Sequence, residues 1–206
     1  MKKLLGGGME KIFTLAPVFR DREMPGQRWS IEFTMLEWYQ QGRDYRDLMT
    51  ETGELINFVL NRADEWKRIS YVDEFERVVG FVPMEDDRAR LVDACARLSL
   101  DAPKDEEAVH AIIDRVFYAV VWPTVQKPER YMLCEFPIPC ASLSKVGPGG
   151  RYAERFEAFV GELEMCNGFT ELTDAAEQRR RFTLEAEERR LAKKEVFPID
   201  EDLLGR

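Results

Sequence analysis

Two stretches near the start of the chain carry the hydrophobic pattern of β-strands. KIFTLAPVFR (11–20) is rich in strand-forming residues, and IEFTMLEWY (31–39) alternates apolar and polar positions. The polar segment between them contains a Pro-Gly turn signal. This pattern predicts two antiparallel strands joined by a polar loop.

Further along the chain, apolar residues recur with helical spacing. The segments with this spacing are 44–63, 85–99, 105–121 and a charged one over 174–194. In the first, the predicted apolar stripe consists of Leu48, Leu55, Ile56 and Val59. Thr173 or Asp174 is the predicted N-cap of the last helix. Strands interleaved with helices, without a regular βαβ repeat, favour an α+β fold.

Strand-forming residues return at RYMLCEF (130–136), and 152–166 reads as a hairpin. If the turn lies at Val160-Gly161, Glu157 directly faces Glu164, because opposed residues share one face of a sheet. That face then carries Glu157, Phe159, Glu162, Glu164 and Cys166. The predicted core face carries Phe156, Ala158, Leu163 and Met165.

Two facing carboxylates repel each other unless water screens them, one takes up a proton, or a cation lies between them. Oxygen ligands without histidine or cysteine suit Mg²⁺ best. The pattern therefore leaves two interpretations of Glu157 and Glu164, a solvated acidic face and a magnesium site.

The first hairpin offers complementary chemistry. Phe33, Met35, Glu37 and Tyr39 are predicted to share one face, and Arg20 ends the partner strand. An arginine suits a phosphate, an aromatic ring suits a nucleotide base, and carboxylates suit an ammonium group. Each of these residue types is also common in purely structural roles.

The amino-acid composition argues against several classes of function. The 206 residues carry a net charge of −9, which argues against a protein whose main task is to bind nucleic acid phosphates. There is no apolar run long enough for a membrane span. Four cysteines without CxxC spacing and a single histidine, His110, disfavour zinc and favour free thiols in a cytoplasmic protein.

Two long motifs carry a family resemblance. FRDRE and EFTMLEWY, within about 13–39, resemble motif 2 of class II aminoacyl-tRNA synthetases of the lysine branch. ERFEAFVGELEMCNGFTELTDAAEQRRRF, within about 152–182, resembles their lysine- and ATP-site segment. The resemblance implies one partial catalytic domain over 1–206, with an antiparallel six- or seven-stranded sheet flanked by helices. Within this branch, the chain is most similar to the ligases that attach β-lysine to elongation factor P.

The resemblance also implies a reaction and site residues. In this family the carboxylate of lysine or β-lysine attacks the ATP α-phosphate to give an aminoacyl-adenylate. Arg20 would bind the α-phosphate and the substrate carboxylate, and Phe33 would stack on adenine. Glu157 and Glu164 would hold Mg²⁺. The residues expected to contact the amino-acid substrate are Glu37, Tyr39, Cys166, Asn167, Phe169 and Glu171.

The chain departs from the family pattern in the motif 2 loop. Arg22 stands where the family has glutamate, so Glu23 is the candidate for the adenine contact, and Trp29 replaces a familiar histidine. Cys166 stands where lysyl-tRNA synthetases usually carry glycine and the elongation factor P ligases carry alanine. A side chain here, and no anticodon-binding domain ahead of the motifs, favour the protein-modifying ligase over a tRNA synthetase.

Two family segments lie outside these 206 residues, namely motif 1, which forms the usual homodimer interface, and the motif 3 arginine that binds ATP. Two alternatives to the elongation factor P ligase remain open, and the missing motif 3 favours the second of them. One is a stand-alone lysyl-tRNA synthetase-like enzyme that charges tRNA. The other is a non-catalytic paralogue that binds ATP or lysine without turnover.

Overall fold

The structure is a computed structural model that describes residues 1–20, 30–191 and 193–205. Its strands are β1 (Lys11–Phe19), β2 (Glu32–Gln40), β3 (Lys67–Ser70), β4 (Arg130–Phe136), β5 (Ala153–Val160) and β6 (Leu163–Phe169). Its α-helices are α1 (Lys2–Gly6), α2 (Tyr45–Val59), α3 (Tyr71–Val79), α4 (Arg88–Arg97), α5 (Val109–Val116), α6 (Ala175–Leu191) and α7 (Glu201–Leu204). The chain divides into two compact units, a smaller one of 1–43 with 200–206 and a larger one of 44–199.

The smaller unit is built on the predicted antiparallel pair β1–β2. Phe33, Met35, Glu37 and Tyr39 pair with alternate residues of β1 and share one face, as predicted. The opposite face carries exposed apolar side chains, namely Phe13, Leu15, Phe19 and Leu36. In the same unit, Lys3 of α1 forms ion pairs of 2.8 and 3.1 Å with Asp200, the N-cap of α7, and with Asp202 within α7.

The larger unit contains a four-stranded sheet in the order β3-β4-β5-β6. β3 runs parallel to β4, and the other neighbours are antiparallel. The described strands thus form a two-stranded and a four-stranded sheet, which differs from the single antiparallel sheet implied by the resemblance. β3 has only four residues, too few for a visible period, and neither it nor α3 was predicted.

Helices cover both faces of the four-stranded sheet. On one face, Tyr45 and Met49 of α2 pack with Met132, Phe156 and Ala158 of the sheet. On the other face, α3, α4 and α5 contribute to a larger core. Sheets with helices on their faces, in a chain without a regular βαβ repeat, confirm the predicted α+β class.

The predicted stripe of α2 is confirmed in part, because Leu48 and Ile56 pack against the buried apolar cluster. Asp44 caps the helix through the amides of Arg46 and Asp47, so the helix begins at Tyr45. The buried residues are Tyr45, Met49, Thr52 and Gly53, which follow helical spacing from that first residue. Val59, at the end of α2, is 70% exposed. The aliphatic pattern therefore locates part of the buried face, and tertiary packing adds the residues from Tyr45 to Gly53 that are buried most completely.

The predicted helix over 105–121 begins four residues later and changes its winding. α5 passes into a π-helical turn at Phe117–Val121, followed by a 3₁₀ turn at Trp122–Thr124. The charged helix is confirmed as α6, and Asp174 accepts hydrogen bonds from the amides of Ala176 and Glu177. No helix within the described ranges has both the length and the apolar character that crossing a bilayer requires.

Candidate functional site

The β5–β6 hairpin turns at Gly161-Glu162, one residue later than predicted, and Val160 pairs with Leu163. Gly161 has a φ of +60°, a conformation that glycine adopts without the strain that a side chain would cause. Its carbonyl accepts a hydrogen bond of 3.2 Å from the Tyr131 hydroxyl. The turn residue and its backbone contacts therefore set a register that the sequence pattern did not identify.

This register corrects the predicted pairing of the two carboxylates. Glu157 pairs with Asn167 rather than with Glu164, and a bulge after Ala158 places Phe159 opposite Glu164. Glu157 and Phe159 are two residues apart on β5, so Glu157 and Glu164 still lie on one face. They are diagonal neighbours, not a directly opposed pair.

The register also corrects the other predicted faces. Cys166 pairs with Ala158 and packs in the apolar cluster beneath α2, on the face opposite to Glu157. Burial there raises the pKa of the Cys166 thiol to about 11. Leu163 and Met165, predicted as core, are each 42% exposed because they lie at the turn and at the bulge. Glu162, predicted on the acidic face, is an exposed turn residue.

Position 168 requires glycine because β6 passes very close to side chains of β5 and α2 there. It pairs with Phe156, and a Cβ atom on Gly168 would lie 2.6 Å from Cε1 of that ring. The same atom would lie 3.0 Å from Cδ2 of Leu48 on α2. The glycine of the Asn-Gly-Phe motif therefore lets β6 cross the Phe156 ring, while Asn167 and Phe169 on either side face the other way.

Glu157 is a buried carboxylate, only 8% exposed. Nη2 of Arg155 donates to its Oε1 at 2.7 Å. Burial raises the pKa of Glu157 to about 7, against the lowering effect of Arg155, and the negative charge of Glu164 raises it further. A cation near this face would favour the ionised carboxylate.

Arg155 links the residues of this face. Its Nη1 donates to the carbonyl of Cys140 at 2.9 Å and its Nε donates to Oδ1 of Asn167 at 3.3 Å. Sequence reasoning missed Arg155, although its spacing of two from Glu157 on a strand places both side chains on one face.

A second carboxylate, which is half-buried, lies close to this group. Asp114 of α5 accepts a hydrogen bond of 3.2 Å from the Tyr71 hydroxyl, and the Cys140 thiol is 3.9 Å from the same oxygen. Burial raises the pKa of Asp114, while its hydrogen bond from Tyr71 and the nearby charge of His110 oppose the rise. The sequence signal was an acidic residue that directly follows the apolar pair Ile112-Ile113 in a predicted helix.

The same carboxylates affect the pKa of Tyr118, which lies in the π-helical turn. The pKa of its hydroxyl is raised, first by burial and then by the charges of Glu157, Asp114 and Glu164. Its ring meets Trp122 edge-on, and Trp122 in turn contacts Phe159 of β5. The π-helical turn thus brings a phenol towards the acidic face.

The acidic face fits Mg²⁺ only in part. Among residues 1–20, 30–191 and 193–205, no three acidic, histidine or cysteine side chains are grouped closely enough to form a metal cage. Mg²⁺ commonly takes one or two protein carboxylates and completes its shell with phosphate and water oxygens. The diagonal carboxylates of Glu157 and Glu164 match that smaller requirement.

The remaining predicted residues of the larger unit lie at the end of β6. Phe169 pairs with Arg155 and so shares the face of Glu157 and Asn167. Glu171, two residues beyond, is half-buried and forms an isolated bridge with Ser144. Four of the predicted residues, Glu157, Glu164, Asn167 and Phe169, therefore share one face of the sheet, and Cys166 does not.

The predicted residues of the smaller unit also contact one another. Cζ of Arg20 lies 5.4 Å from the ring centroid of Phe33. The hydroxyl of Tyr39 donates a hydrogen bond to Oε1 of Glu37, and the ammonium of Lys2 lies 6.0 Å from the Tyr39 ring centroid. Glu23, with Arg22 and Trp29, lies outside the described residues.

Comparison with known proteins identifies the family. A family model described as tRNA synthetases class II (D, K and N) matches residues 1–204. The chain belongs to this family. The class II synthetase resemblance found in its two motifs is thereby confirmed.

Several similar curated relatives carry the name elongation factor P–(R)-β-lysine ligase. The protein of that name from Sodalis glossinidius is 37% identical over 207 residues, which cover 100% of this chain and 63% of the relative. That of Haemophilus influenzae (strain PittGG) is 36% identical over 206 residues, with the same two shares. That of Klebsiella pneumoniae is 37% identical over 207 residues. The chain thus spans about 63% of the length of these relatives.

Proposed function

We propose that the chain contributes to ATP-dependent activation of lysine or β-lysine and to transfer of the activated amino acid to a lysine of elongation factor P. The observation that carries this proposal is similarity along the whole chain to relatives named elongation factor P–(R)-β-lysine ligase, at 36–37% identity. The bond that forms joins the amino-acid carboxylate to the α-phosphorus of ATP, and pyrophosphate leaves. An amine of the acceptor then attacks the acyl carbon and releases AMP.

Within the smaller unit, the hairpin residues offer groups for nucleotide and amine. The Arg20 guanidinium, always charged, would bind the α-phosphate and the substrate carboxylate. The Phe33 ring beside it would stack on adenine. The Tyr39 hydroxyl orients the Glu37 carboxylate, which would accept a substrate ammonium group. Glu23 remains the proposed adenine contact of the motif 2 loop.

Within the larger unit, the β5–β6 face offers acidic and amide groups. Glu157 and Glu164 would hold Mg²⁺, which when bound neutralises phosphate charge. Asn167, Phe169 and Glu171 would contact the amino-acid substrate. Cys166 would act only indirectly, because its side chain packs beneath α2 and not on this face.

The acceptor is the part of the proposal that most needs a direct test. Elongation factor P appears in the names of the relatives, whereas the family model covers tRNA synthetases. We propose elongation factor P as the partner, tRNA as the less favoured acceptor, and the cytoplasm as the compartment.

Activation can be tested by lysine- or β-lysine-dependent exchange of labelled pyrophosphate into ATP. We expect one of the two amino acids to support exchange and the other to support it less. If neither supports exchange, while ATP and lysine still bind by calorimetry, the chain is a binding protein and the ligase proposal is wrong.

The acceptor can be tested with labelled amino acid offered to both acceptors. We expect label on elongation factor P, lost when its acceptor lysine is replaced by arginine, and no label on tRNA. Label on tRNA alone would replace this proposal with that of a stand-alone lysyl-tRNA synthetase-like enzyme.

A further inference from the structure

Arg155 connects three separate parts of the larger unit through one guanidinium group. Nη2 donates to Glu157 of its own strand at 2.7 Å, and Nε donates to Asn167 of β6 at 3.3 Å. Nη1 donates to the backbone carbonyl of Cys140 at 2.9 Å, in the 3₁₀ turn after β4. Three acceptors around one planar group fix its orientation, because the guanidinium donors lie in one rigid plane.

The aromatic and buried surroundings of Arg155 reinforce this orientation. Its Cζ lies 4.4 Å from the ring centroid of Phe136, the last residue of β4. Its side chain is only 18% exposed. A guanidinium stacked on a ring and largely removed from water keeps one geometry better than an exposed arginine does.

The side-chain partners of Arg155 differ in exposure, so one end of this hydrogen-bond network lies inside the protein and the other end is accessible to a ligand. Glu157 is buried, whereas Asn167 is exposed. Because Oδ1 of Asn167 accepts from Arg155, its amide nitrogen is the group left for other partners. The exposed end of the network therefore presents a hydrogen-bond donor, which suits a carboxylate or carbonyl oxygen of a ligand.

We propose that Arg155 is a positioning residue that holds Asn167 in the orientation in which its amide nitrogen binds a ligand oxygen, while the same guanidinium keeps Glu157 in place. This inference rests on the proposed function for the identity of the ligand, an amino-acid substrate. The coupling of Arg155 to Asn167 is a property of the chain itself, and it can be measured without any ligand.

The ligand-free test uses Arg155→Lys, with Arg151→Lys as its matched control. Arg151 also bridges two side-chain acceptors, Asp73 at 2.6 Å and Glu76 at 2.5 Å, through exposed contacts to α3. The readout is the side-chain amide signal of Asn167 in ¹H–¹⁵N spectra, assigned by its loss in Asn167→Asp. We expect Arg155→Lys to shift or broaden this signal and Arg151→Lys to leave it unchanged. An unchanged signal in Arg155→Lys overturns the inference.

A reciprocal variant covers the case in which Arg155→Lys does not fold. Asn167 is exposed, so Asn167→Ala leaves the core intact. We expect its effect on the Nε–H signal of Arg155 to be a shift and faster hydrogen exchange. If that signal and its exchange rate are those of the unsubstituted chain, Arg155 does not hold Asn167.

The ligand test measures lysine and β-lysine affinity by calorimetry in the presence of Mg²⁺ and an ATP analogue that cannot release pyrophosphate. We expect Arg155→Lys and Asn167→Ala each to weaken binding about tenfold, the effect of losing one hydrogen bond to a charged group. The double variant should lose no more than about tenfold, because the two residues act through the same contact. Additive losses would contradict positioning. If the unsubstituted chain binds neither amino acid, the proposed function fails, and the ligand-free spectra still decide the role of Arg155.

Discussion

The two faces of the β5–β6 hairpin bury side chains of opposite character, an aromatic ring on one face and a carboxylate on the other. Phe156 is fully buried and packs with α2, and its strand partner is Gly168. Its neighbour Glu157 is 8% exposed on the other face, where its strand partner is Asn167. Two consecutive residues of β5 therefore place a close-packed aromatic ring on one face and a buried carboxylate on the other.

The comparison separates the stabilising face from the candidate site. Burying an apolar side chain such as Phe156 contributes roughly 1.5–3 kcal/mol. Burying a carboxylate costs free energy, and the raised pKa of Glu157 shows that Arg155 offsets only part of this cost. A face that retains such a group at a cost is a reasonable place to expect a ligand.

The largest effect should come from removing the Phe156 ring. We expect Phe156→Ala to lower the free energy of unfolding by about 3–5 kcal/mol, because it leaves a cavity in a packed cluster. Chemical denaturation measures the change. Phe58→Ala is the control, since Phe58 is 83% exposed and its loss should change stability by less than about 0.5 kcal/mol. Equal losses would contradict the assignment of Phe156 to the core.

The second-largest expected effect on the free energy of unfolding comes from Glu157, and it depends on pH. Its folded pKa of about 7 lies above its ordinary value of 4.5, so the folded state retains the proton to higher pH. The stability that the protonated carboxyl provides is present below about pH 4.5 and is lost as pH rises through about 7. Relative to Glu157→Gln, the unsubstituted chain should lose about 2–3 kcal/mol between roughly pH 5 and 8. Denaturation at several pH values without divalent cations measures this, and a constant difference would show that Glu157 is ionised throughout.

A smaller effect on stability is expected at Gly168, the strand partner of Phe156 on the α2 face. A methyl group there would collide with the Phe156 ring and with Leu48, so Gly168→Ala should cost about 1–3 kcal/mol. Phe156→Leu in the same chain removes ring atoms from the collision. The cost of Gly168→Ala should therefore be smaller in the Phe156→Leu background than in the unsubstituted chain, and an unchanged cost would place the strain elsewhere.

The smallest stability effect, with a functional consequence, concerns Glu164. It is exposed, so Glu164→Gln should change the free energy of unfolding by less than about 0.5 kcal/mol. If it holds Mg²⁺, the variant should weaken Mg²⁺-dependent ATP binding about tenfold or more in calorimetry. Glu162→Gln, at the exposed turn, is the matched control and should leave binding unchanged. Similar binding by both variants would leave Glu164 a solvated carboxylate.

Local patterns predicted most elements of this chain but not the fine register. The strands β1, β2 and β4 and the helix α6 follow from their own residues, with boundaries shifted by at most three positions. The hairpin turn depends on Gly161 and on contacts that β4 makes with it. The turn lies one position later than predicted, and the bulge after Ala158 then changes the register by one residue, so Cys166 lies on the α2 face while Glu157 and Glu164 share the other.

The sequence by itself determined the family, the α+β class, and the face shared by Glu157 and Glu164, because motifs and strand periodicity are local properties of the chain. Only the tertiary structure decided that Arg155 connects Glu157 to Asn167, that Asp114 lies close by, and that the Cys166 side chain lies on the opposite face of the sheet. Asp114 lies about forty residues before β5 in the sequence. Cys140 lies in the turn after β4, and Arg155 lies on β5, the strand that pairs with β4. Contacts between such distant segments arise from the register and packing of the whole sheet, which no single stretch of sequence encodes.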